Sequence, residues 1–416
     1  MPLSAIQAKV AKSEARFRTC CFGRRAGKTT LAIREMIRFA SQPNKNIWYV
    51  SPSYRMSKEI VWHKLCDILL DLRWVAKKNE SELTLYLKNG SMITLKGSDN
   101  RDSLRGRAID FLVLDEAAQI HPSVFFEVLR PALSDRNGHA LFAGTPMGLG
   151  NFLKDLYDNA LVDDNWESFH ATTFEGGFVT EEEIEEAKHI LDSRTFAQEM
   201  LADFIESGQK IFYNFDLDES VKQYPYGDDI PNRVYIGEDF NVGFLTAVVF
   251  DVHPDGTMWA FDEIVLTSAN TDEMVQEIKN RYPNREIVCF PDPSAKANKT
   301  SAGGRTDISI LQNAGFTVKA PNSHNPVRDT INAVNSMLKN AGGVRRMFVD
   351  PKCTQTIKSM DRWQYKEGTM IPEKDGAVDH SHLCDCVRYI TDYLNPIRKQ
   401  FDPQPFSRWG HKIGAY

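Results

Sequence analysis

Short, solidly apolar runs alternate with helical patterns through the first half of the chain. The apolar runs predict strands at residues 18–22, 47–51, 109–114 and 140–143. Helical periodicity predicts helices at 28–39 and 56–72, and two short acidic helices within 181–202. A hairpin is predicted for 83–87 and 92–95, because Asn89-Gly90 favours a tight turn. Buried strands separated by helices indicate a mostly parallel sheet covered on both faces.

The second half follows a stretch at 207–232 that is rich in glycine, proline and polar residues, which we interpret as a connection between domains. The strands predicted beyond it are 234–240, 245–251, 258–265, 286–290 and 316–320. The predicted helices are 271–282, 308–313, 327–339 and 380–393. Three strands in quick succession, then alternating helices and strands, are the order expected of an RNase H-like domain.

These patterns predict a two-domain α/β protein. The first domain is placed at 1–206, the linker at 207–232, the RNase H-like domain at 233–395 and a C-terminal tail at 396–416. A chain of 416 residues exceeds one ordinary compact core, which agrees with this division.

Composition narrows the class of protein. The chain is 42% hydrophobic and 25% charged, as in folded proteins, and we find neither an apolar run of membrane-spanning length nor a signal-peptide h-region. Seven cysteines are scattered through predicted strands and helices, which favours buried thiols in a reducing compartment over a disulfide framework. We therefore expect a cytoplasmic protein that has no membrane partner.

The net charge of -6 conceals a strong polarity along the chain. Residues 1–107 hold 21 Lys and Arg against 9 Asp and Glu, a net charge of +12, whereas residues 108–207 hold 5 against 20, a net charge of -15. One interpretation is that the two segments interleave in a single domain and neutralise each other. The other is a basic face that binds polyphosphate or nucleic acid.

A glycine-rich segment lies between the first predicted strand and the first predicted helix. It reads Gly23-Arg24-Arg25-Ala26-Gly27-Lys28-Thr29-Thr30, and each of these residues is a candidate nucleotide contact. Backbone amides at a helix N-terminus cradle phosphate oxygens, Lys28 would reach the β- and γ-phosphates, and the Thr29 hydroxyl would ligate Mg²⁺. Phe22 stands where the general motif has its first glycine. The context still predicts a P-loop ATPase domain of the RecA/ASCE-like type.

Two carboxylates follow the apolar run at 109–114. Asp115 is expected at the carboxyl end of a buried strand, where it would hold Mg²⁺, and Glu116 would orient and deprotonate the attacking water. Thr145, on a turn between Gly144 and Pro146, could sense the γ-phosphate. Together with the glycine loop, the two acids predict hydrolysis of ATP and not only its binding.

Hydrolysis also calls for a positive charge on the γ-phosphate in the transition state. Arg24 and Arg25 could supply it within the same subunit, and Arg101, Arg105 or Arg107 could supply it to a neighbouring subunit. The sequence does not choose among these five arginines.

A second set of acids lies in the predicted RNase H-like domain. Asp239 falls within its first strand, Asp292 follows a later strand, and Asp385 lies on the final helix, on the face that also carries His382, Arg388 and Tyr389. Asp379 is expected to cap that helix. Converging carboxylates can hold two Mg²⁺ or Mn²⁺ ions for phosphodiester cleavage, which predicts a nuclease site at Asp239, Asp292 and Asp385.

Zinc is the competing interpretation of the final helix, since His380, His382, Cys384 and Cys386 lie close together in sequence. Alternate positions on a helix point to opposite sides, however, so these four side chains do not form one tetrahedral site.

Taken in order, the motifs resemble a known family. They are Ala15-Arg16-Phe17, the glycine loop, Ser51-Pro52-Ser53-Tyr54-Arg55, Leu104-Arg105-Gly106, Leu114-Asp115-Glu116-Ala117, Gly144-Thr145-Pro146, and the Asp, Asp-Pro and His-x-x-Asp-x-x-x-Arg-Tyr elements of the second domain. Spread over roughly residues 5–395, they resemble the large terminase subunit of tailed bacteriophages, the ATP-driven motor that packages DNA into procapsids. The absent first glycine looks like this family's own variant of the loop.

The resemblance implies that ATP hydrolysis drives translocation of double-stranded DNA and that the second domain cuts concatemeric DNA. It implies that Gln7 contacts adenine, that Arg105 acts as a finger in trans, and that His382 supports the metal site beside Asp385. The implied partners are the portal protein, a small terminase subunit and further copies of the chain in a ring, expected to be a pentamer. The implied setting is the host cytoplasm and not the mature virion. The tail at 396–416 could dock on the portal or be a disordered end.

Two other classes of function stay open at this point. A helicase or repair ATPase with an accessory nuclease would normally carry a second RecA-like domain, whose motifs we do not find in residues 208–416. A non-catalytic scaffold with a degenerate nuclease fold would bind DNA without cutting it.

Overall fold

The computed structural model of the chain describes residues 3–148, 151–205, 208–241, 244–292, 306–321, 325–366, 369–374 and 380–397. The described residues divide into two compact units. Those of Met1–Ala187 and Arg194–Ser207 form the first, and those of Lys188–Ser193 and Gly208–Tyr416 form the second.

An eight-stranded sheet forms the centre of the first unit. Its strands are β1 Phe17–Phe22, β2 Asn46–Ser51, β3 Val75–Asn79, β4 Thr84–Leu87, β5 Met92–Gly97, β6 Phe111–Leu114, β7 His139–Gly144 and β8 Trp166–Ala171. The spatial order is β3-β4-β5-β2-β6-β7-β1-β8, and all neighbours from β5 to β8 run parallel. The predicted mostly parallel sheet and the predicted β4–β5 hairpin are thus confirmed.

Strands β3 and β8 were not predicted, because both are edge strands with polar residues at several positions. Strand β3 carries Lys77 and Lys78 and is largely exposed, and β8 buries only Phe169 and Ala171 fully. Edge strands need one apolar face at most, so they lack the continuous apolar run that marks the central strands.

Helices and helical turns cover the sheet. The α-helices of the N-terminal half are α1 Ala5–Lys12, α2 Lys28–Ala40, α3 Tyr54–Ser57, α4 His63–Asp71, α5 Arg130–Ser134, α6 Phe152–Asp158, α7 Thr173–Gly176, α8 Glu181–Ile190 and α9 Ser193–Glu199. The helix predicted at 56–72 is interrupted by a π-helical segment, Lys58–Trp62, between α3 and α4. A second π-helical segment, Val124–Leu129, precedes α5.

The central strands are apolar throughout because both faces of the sheet are buried. Along β6, Phe111 and Val113 pack into one core cluster, whereas Leu112 and Leu114 pack into the cluster on the other face. Each fully buried side chain of this size contributes roughly 1.5–3 kcal/mol of transfer free energy, so the strand order is held by packing on both sides.

A six-stranded sheet forms the centre of the second unit. Its strands are β9 Arg233–Asn241, β10 Phe244–Val252, β11 Met258–Thr267, β12 Glu286–Pro291, β13 Thr317–Val318 and β14 Met347–Val349. The spatial order is β13-β12-β9-β10-β11-β14; β9, β10 and β11 are antiparallel, and β12 and β13 are parallel to β9. This is the strand order of an RNase H-like fold, as predicted.

The remaining helices are α10 Leu217–Ser220, α11 Thr271–Arg281, α12 Asp307–Asn313, α13 Val327–Leu338, α14 Thr354–Arg362 and α15 Ser381–Leu394. Helix α15 lies close to β9, and Gly237 makes this approach possible. A Cβ atom at Gly237 would lie 2.1 Å from the carbonyl oxygen of Cys386, so any larger residue would push the helix away.

Two sequence predictions differ from the structure in detail, and one further helix was not predicted. The segment predicted as a linker packs in the second unit, where its aromatic residues Phe212, Phe215 and Tyr224 are buried in the core. The prediction was based on the glycine, proline and polar content of the segment, which does not show where its aromatic residues pack. The strand predicted at 316–320 contains only Thr317 and Val318. Helix α14 was not predicted.

Several predictions fall outside the described residues: the capping role of Asp379, and residues 398–416 of the predicted tail. None of the helices in the described ranges combines the length and the apolar character that a bilayer span requires. All seven cysteines lie within the described ranges, where they are buried, as predicted, and are not joined in disulfides.

Candidate functional site

The glycine loop connects β1 to α2 in the first unit, as predicted. The Lys28 ammonium donates hydrogen bonds to the carbonyl oxygens of Phe22, at 3.0 Å, and Gly23, at 3.1 Å, and to the Thr145 hydroxyl, at 2.8 Å. The structure thus brings together the loop lysine and the threonine at the end of β7. Thr29 and Thr30 lie partly exposed on the first turn of α2.

Gly27 sets the shape of the loop. Its φ of 85° belongs to the left-handed region, and a Cβ atom there would lie 2.2 Å from Gln7 Nε2. Glycine is the residue that accepts both constraints without strain. Arg25 also has a positive φ, of 58°, so the loop holds its backbone in an uncommon conformation immediately before Lys28.

Gln7 is buried against the loop, and both ends of its side-chain amide are bound. Its Oε1 accepts from the Ser4 amide at 3.0 Å, as part of a capping box at the start of α1, and its Nε2 donates to the Gly27 carbonyl oxygen at 2.9 Å. In this arrangement Gln7 fixes α1 to the loop. The pattern Ser4-x-x-Gln7 was a sequence signal for this capping role.

Residues at the ends of β8 and α9 and at the start of α7 contact the loop from outside, which the sequence did not indicate. The Gly23 amide donates to the Ala171 carbonyl oxygen at 2.8 Å, and the Arg24 amide donates to that of Glu199 at 2.6 Å. The Thr173 hydroxyl donates to the Arg24 carbonyl oxygen at 2.8 Å. The Arg24 guanidinium lies 3.8 Å from the Glu199 carboxylate.

Asp115 and Glu116 lie directly after β6, in the place predicted for them. The Tyr49 hydroxyl donates to Asp115 Oδ2 at 2.6 Å, and the Glu116 amide donates to Asp115 Oδ1 at 3.1 Å. Burial raises the pKa of Asp115, which the Tyr49 hydrogen bond and the charge of Lys28 oppose. Burial also raises the pKa of Glu116, and the neighbouring Asp115 charge adds to it. A carboxylate with a raised pKa is a better proton acceptor.

Arg105 is placed away from these groups. It follows a 3-10 turn, Arg101–Leu104, its side chain is 66% exposed, and its ion pair is with Asp102 at 3.8 Å. Arg101 and Arg107 are exposed as well. The structure therefore gathers Gln7, Gly27, Lys28, Thr145, Asp115 and Glu116 around the loop, and leaves these three arginines at the surface.

The three predicted carboxylates of the second unit each have a hydrogen-bonded or charged partner. Asp239 Oδ2 lies 2.8 Å from His382 Nδ1, and Asp292 Oδ2 accepts from the Tyr389 hydroxyl at 3.1 Å. Asp385 Oδ1 forms a buried ion pair with Arg388.

Tyr389 lies near Asp239, Asp292 and Asp385. Burial raises the pKa of its hydroxyl, and the charges of Asp385, Asp239 and Asp292 all raise it further, so the three carboxylates lie within electrostatic range of one group. Burial raises the pKa of Asp385 itself. This arrangement is consistent with the prediction that Asp239, Asp292 and Asp385 come together from two strands and a helix.

The donor chemistry suits Mg²⁺ or Mn²⁺, since carboxylate oxygens are the ligands that such ions prefer. Among the described residues, however, no group of three His, Cys, Asp or Glu side chains is arranged to hold a metal ion. In the present arrangement one oxygen each of Asp239, Asp292 and Asp385 contacts a protein nitrogen or hydroxyl.

The residues of the zinc interpretation are dispersed. His380 lies at the N-cap position of α15, and Cys384 and Cys386 are buried in the core of the second unit. The Cys386 thiol donates to the Thr246 carbonyl oxygen at 3.3 Å, and burial raises its pKa far above the ordinary value.

Comparison with known proteins gives one family. A family model described as the large terminase subunit of T4-like viruses, N-terminal part, matches residues 19–219. The large terminase subunit of Escherichia phage T5 is 28% identical over 393 residues, which cover 90% of this chain and 86% of that protein. The large terminase subunit of Thermus virus P23-45 is 28% identical over 276 residues, which cover 56% of this chain and 57% of that protein.

Solved structures agree on the fold. The large terminase of a thermophilic bacteriophage superposes with a TM-score of 0.62 at 17% identity, covering 94% of this chain and 99% of that one. The same large terminase has been solved in complex with ATP-γ-S, and that structure has a TM-score of 0.61 and 18% identity to this chain.

Proposed function

We propose that this chain, which is similar to the large terminase subunits of bacteriophages, is an ATP-driven motor that translocates double-stranded DNA into procapsids and cuts concatemeric DNA with its own nuclease site. One observation carries the proposal. A single chain holds a P-loop with an acidic strand end in one unit and three carboxylates around Tyr389 on an RNase H-like sheet in the other. A motor that packages and cuts DNA needs both.

In the nucleotide site, the backbone of residues 23–30 would cradle the phosphates of ATP, with Lys28 at the β- and γ-phosphates. Bound Mg²⁺ would neutralise charge on the phosphate oxygens, held by Thr29 and Asp115. Glu116, beside Asp115 and with a raised pKa, would take the proton of the attacking water. Lys28 and Thr145 are already hydrogen-bonded, so Thr145 can respond when phosphate draws Lys28 away.

Arg105 is our candidate for the finger in trans. Its side chain is mostly exposed and only loosely paired with Asp102, so a neighbouring subunit could receive it. Arg24 is a weaker candidate in cis, because its guanidinium lies near Glu199. Arginine fingers contribute roughly 10³-fold or more to turnover, so removal of the correct one is easily measured.

In the second unit, Asp239, Asp292 and Asp385 would hold Mg²⁺ or Mn²⁺, with His382 supporting Asp239. The ions would supply an activated water and stabilise the leaving oxygen of the phosphodiester. The chain's own part is to place the carboxylates: β9 presents Asp239, the end of β12 presents Asp292, and α15 presents Asp385.

The partners we propose are double-stranded DNA, the portal protein, a small terminase subunit and further copies of the chain in a ring, expected to be a pentamer. The working setting is the host cytoplasm. We propose that ATP hydrolysis belongs to residues 1–206 and DNA cutting to residues 233–395, and that the tail at 396–416 docks on the portal. Gln7 would contact adenine, in addition to fixing Gly27.

Two single substitutions test the two halves of this function. Glu116→Ala should abolish ATP turnover and leave ATP binding largely intact, and Asp239→Ala should abolish cutting of DNA in the presence of Mn²⁺. ATP hydrolysis is followed by phosphate release, and cutting by conversion of supercoiled plasmid. Exposed acids of the same units serve as controls, Glu127→Ala and Asp228→Ala. Normal ATP turnover in Glu116→Ala, or normal cutting in Asp239→Ala, would exclude the corresponding site.

A further inference from the structure

Lys374 reaches the nuclease carboxylates from a segment that no sequence motif marked. Its backbone position is set by the preceding residue, Glu373. The Glu373 amide donates to the Gln364 carbonyl oxygen at 2.9 Å, and the Glu373 carbonyl oxygen accepts from Trp363 Nε1 at 2.9 Å. Trp363 is itself buried in the core of the second unit, so Lys374 starts from a fixed point.

The two oxygens of Asp385 have cationic partners of different kinds. Oδ1 pairs with Arg388, whose side chain is 6% exposed and also donates to the Thr330 hydroxyl at 2.9 Å. Oδ2 pairs with the Lys374 ammonium at 3.5 Å, and the Lys374 side chain is 58% exposed. Arg388 is held by buried groups, whereas Lys374 is a long side chain open to water and can swing away at little cost.

We propose that Lys374 is a displaceable counter-cation of the nuclease site. It neutralises Asp385 Oδ2 while no divalent ion is bound, and it competes with that ion for the same oxygen. Once displaced, the ammonium pairs with a phosphate of the DNA. This inference rests on the proposed nuclease function.

Electrostatics argues for the competition. Three carboxylates within range of Tyr389 repel one another unless cations compensate them, and Lys374 is the exposed cation at Asp385. A divalent ion that binds Asp385 Oδ2 meets an ammonium at 3.5 Å from that oxygen and must move it. The mobile ammonium then remains beside the ions, where the negative charge that arrives next is the DNA backbone.

Metal affinity in the absence of DNA and ATP gives the first test. Titration calorimetry of the full chain with MnCl₂ should give a dissociation constant that falls about tenfold in Lys374→Ala and in Lys374→Met, because a repelling unit charge is gone. Lys374→Arg should bind Mn²⁺ like the parent chain. The matched control is Lys358→Ala, an exposed lysine on α14, which should leave Mn²⁺ binding unchanged. Unchanged Mn²⁺ affinity in both Lys374→Ala and Lys374→Met would overturn the competition.

Cutting of DNA at saturating Mn²⁺ gives the second test. Lys374→Ala should raise the KM for plasmid DNA about threefold to tenfold and reduce its dependence on salt, with ATP turnover as in the parent chain. A KM equal to that of the parent would overturn the phosphate contact. The proposed nuclease function fails separately: in that case the parent chain and Asp239→Ala would cut DNA equally or not at all, whatever Lys374 does.

Discussion

At the scale of single residues, the chemistry depends on partners that lie far apart in the sequence. Asp115 was expected at a strand end, yet its orientation comes from Tyr49 on the neighbouring strand β2, whose hydroxyl lies 2.6 Å from Asp115 Oδ2. Tyr49 is buried, and burial together with the Asp115 charge raises the pKa of its hydroxyl well above the ordinary value. The Tyr49 proton therefore stays in place and the hydrogen bond persists over the working pH range.

Tyr49→Phe removes this hydrogen bond and keeps the ring. We expect the Asp115 carboxylate to lose its orientation, so that the Mg²⁺ concentration needed for half-maximal ATP turnover rises about tenfold, since a buried hydrogen bond to a charged group contributes about 1.5–3 kcal/mol. The measurement is phosphate release over a Mg²⁺ titration. Tyr86→Phe, on β4 of the same sheet, is the control. An unaltered Mg²⁺ dependence would show that Tyr49 has no part in placing Asp115.

A second buried acid, Glu238, lies next to Asp239 and faces the other way. Glu238 precedes Asp239 on β9, so its side chain leaves the opposite face of the sheet. It is fully buried, its Oε1 accepts from the Cys289 thiol at 3.5 Å, and Oε2 has no hydrogen-bond partner among the described residues. Burial raises the pKa of Glu238 to about 8, and the charge of Asp307 contributes.

This raised pKa makes stability fall as the pH rises. In the unfolded chain Glu238 ionises near pH ~4.3, and in the folded chain only near about 8, so the folded state binds the extra proton in between. The contribution of the Glu238 proton to the free energy of unfolding is complete below about pH 4.3. It declines by up to roughly 1.4 kcal/mol per pH unit as the pH rises, and it is lost above about pH 8. Glu238→Gln carries no such proton.

The check is the thermal midpoint of the parent chain and of Glu238→Gln at about pH 5 and about pH 8. The midpoint of the parent should fall relative to that of the variant as the pH rises. Equal shifts in both proteins would mean that Glu238 is ionised in the folded state.

At the scale of secondary-structure elements, the central strands and long helices were predictable and the elements that brace the site were not. Strand β6 and helix α2 carry clear apolar periodicity, which packing on both faces of the sheet requires. Helix α7, with only four residues, carries no such signal, because it contributes a hydrogen bond to the loop and no apolar stripe, and the hydrogen bond from the loop to the end of α9, a helix predicted within 181–202, had no signal either.

Thr173→Val tests whether this bracing matters for nucleotide binding. Thr173 is buried at the start of α7, and valine keeps its shape but leaves the Arg24 carbonyl oxygen without its donor, a loss of about 1 kcal/mol. We expect the KM for ATP to rise about threefold to tenfold with little change in kcat. The control is Thr84→Val, a buried threonine whose hydroxyl pairs with that of Thr94 on β5. If Thr173→Val, like the control Thr84→Val, has the KM for ATP of the parent chain, the hydrogen bond from Thr173 to the loop has no part in nucleotide binding.

At the scale of the whole molecule, the basic segment 1–107 and the acidic segment 108–207 contribute strands to the same eight-stranded sheet. Strand β2, from the basic segment, lies beside β6 from the acidic one, and β1 lies between β7 and β8. Lys45 and Arg136 both pair with Asp110, at 3.2 Å and 2.8 Å. The segments 1–107 and 108–207 therefore interleave in one sheet, which is the first of the two interpretations of the charge contrast.

The cysteines give a prediction for the intact chain. Because all seven lie in the part of the chain that the structure describes and are buried there without disulfides, a thiol reagent should label almost none of them in the native protein and seven after denaturation. Burial raises the pKa values of the Cys289 and Cys386 thiols far above the ordinary value, which slows their reaction further. The measurement is a thiol titration with and without guanidinium. Rapid native labelling of several thiols would contradict this burial.

The sequence by itself determined the fold class of both units, the position of the phosphate loop, the strand end that carries Asp115 and Glu116, and the places of Asp239 within a strand and of Asp292 after one. These features rest on local signals, since apolar periodicity and loop composition are written in consecutive residues. The tertiary structure alone decided which partners those side chains meet. Tyr49 and Thr173 come from segments remote in sequence, and Lys374 comes from the segment before α15; the packing of strands and helices brings all three to the sites, and no short motif records it.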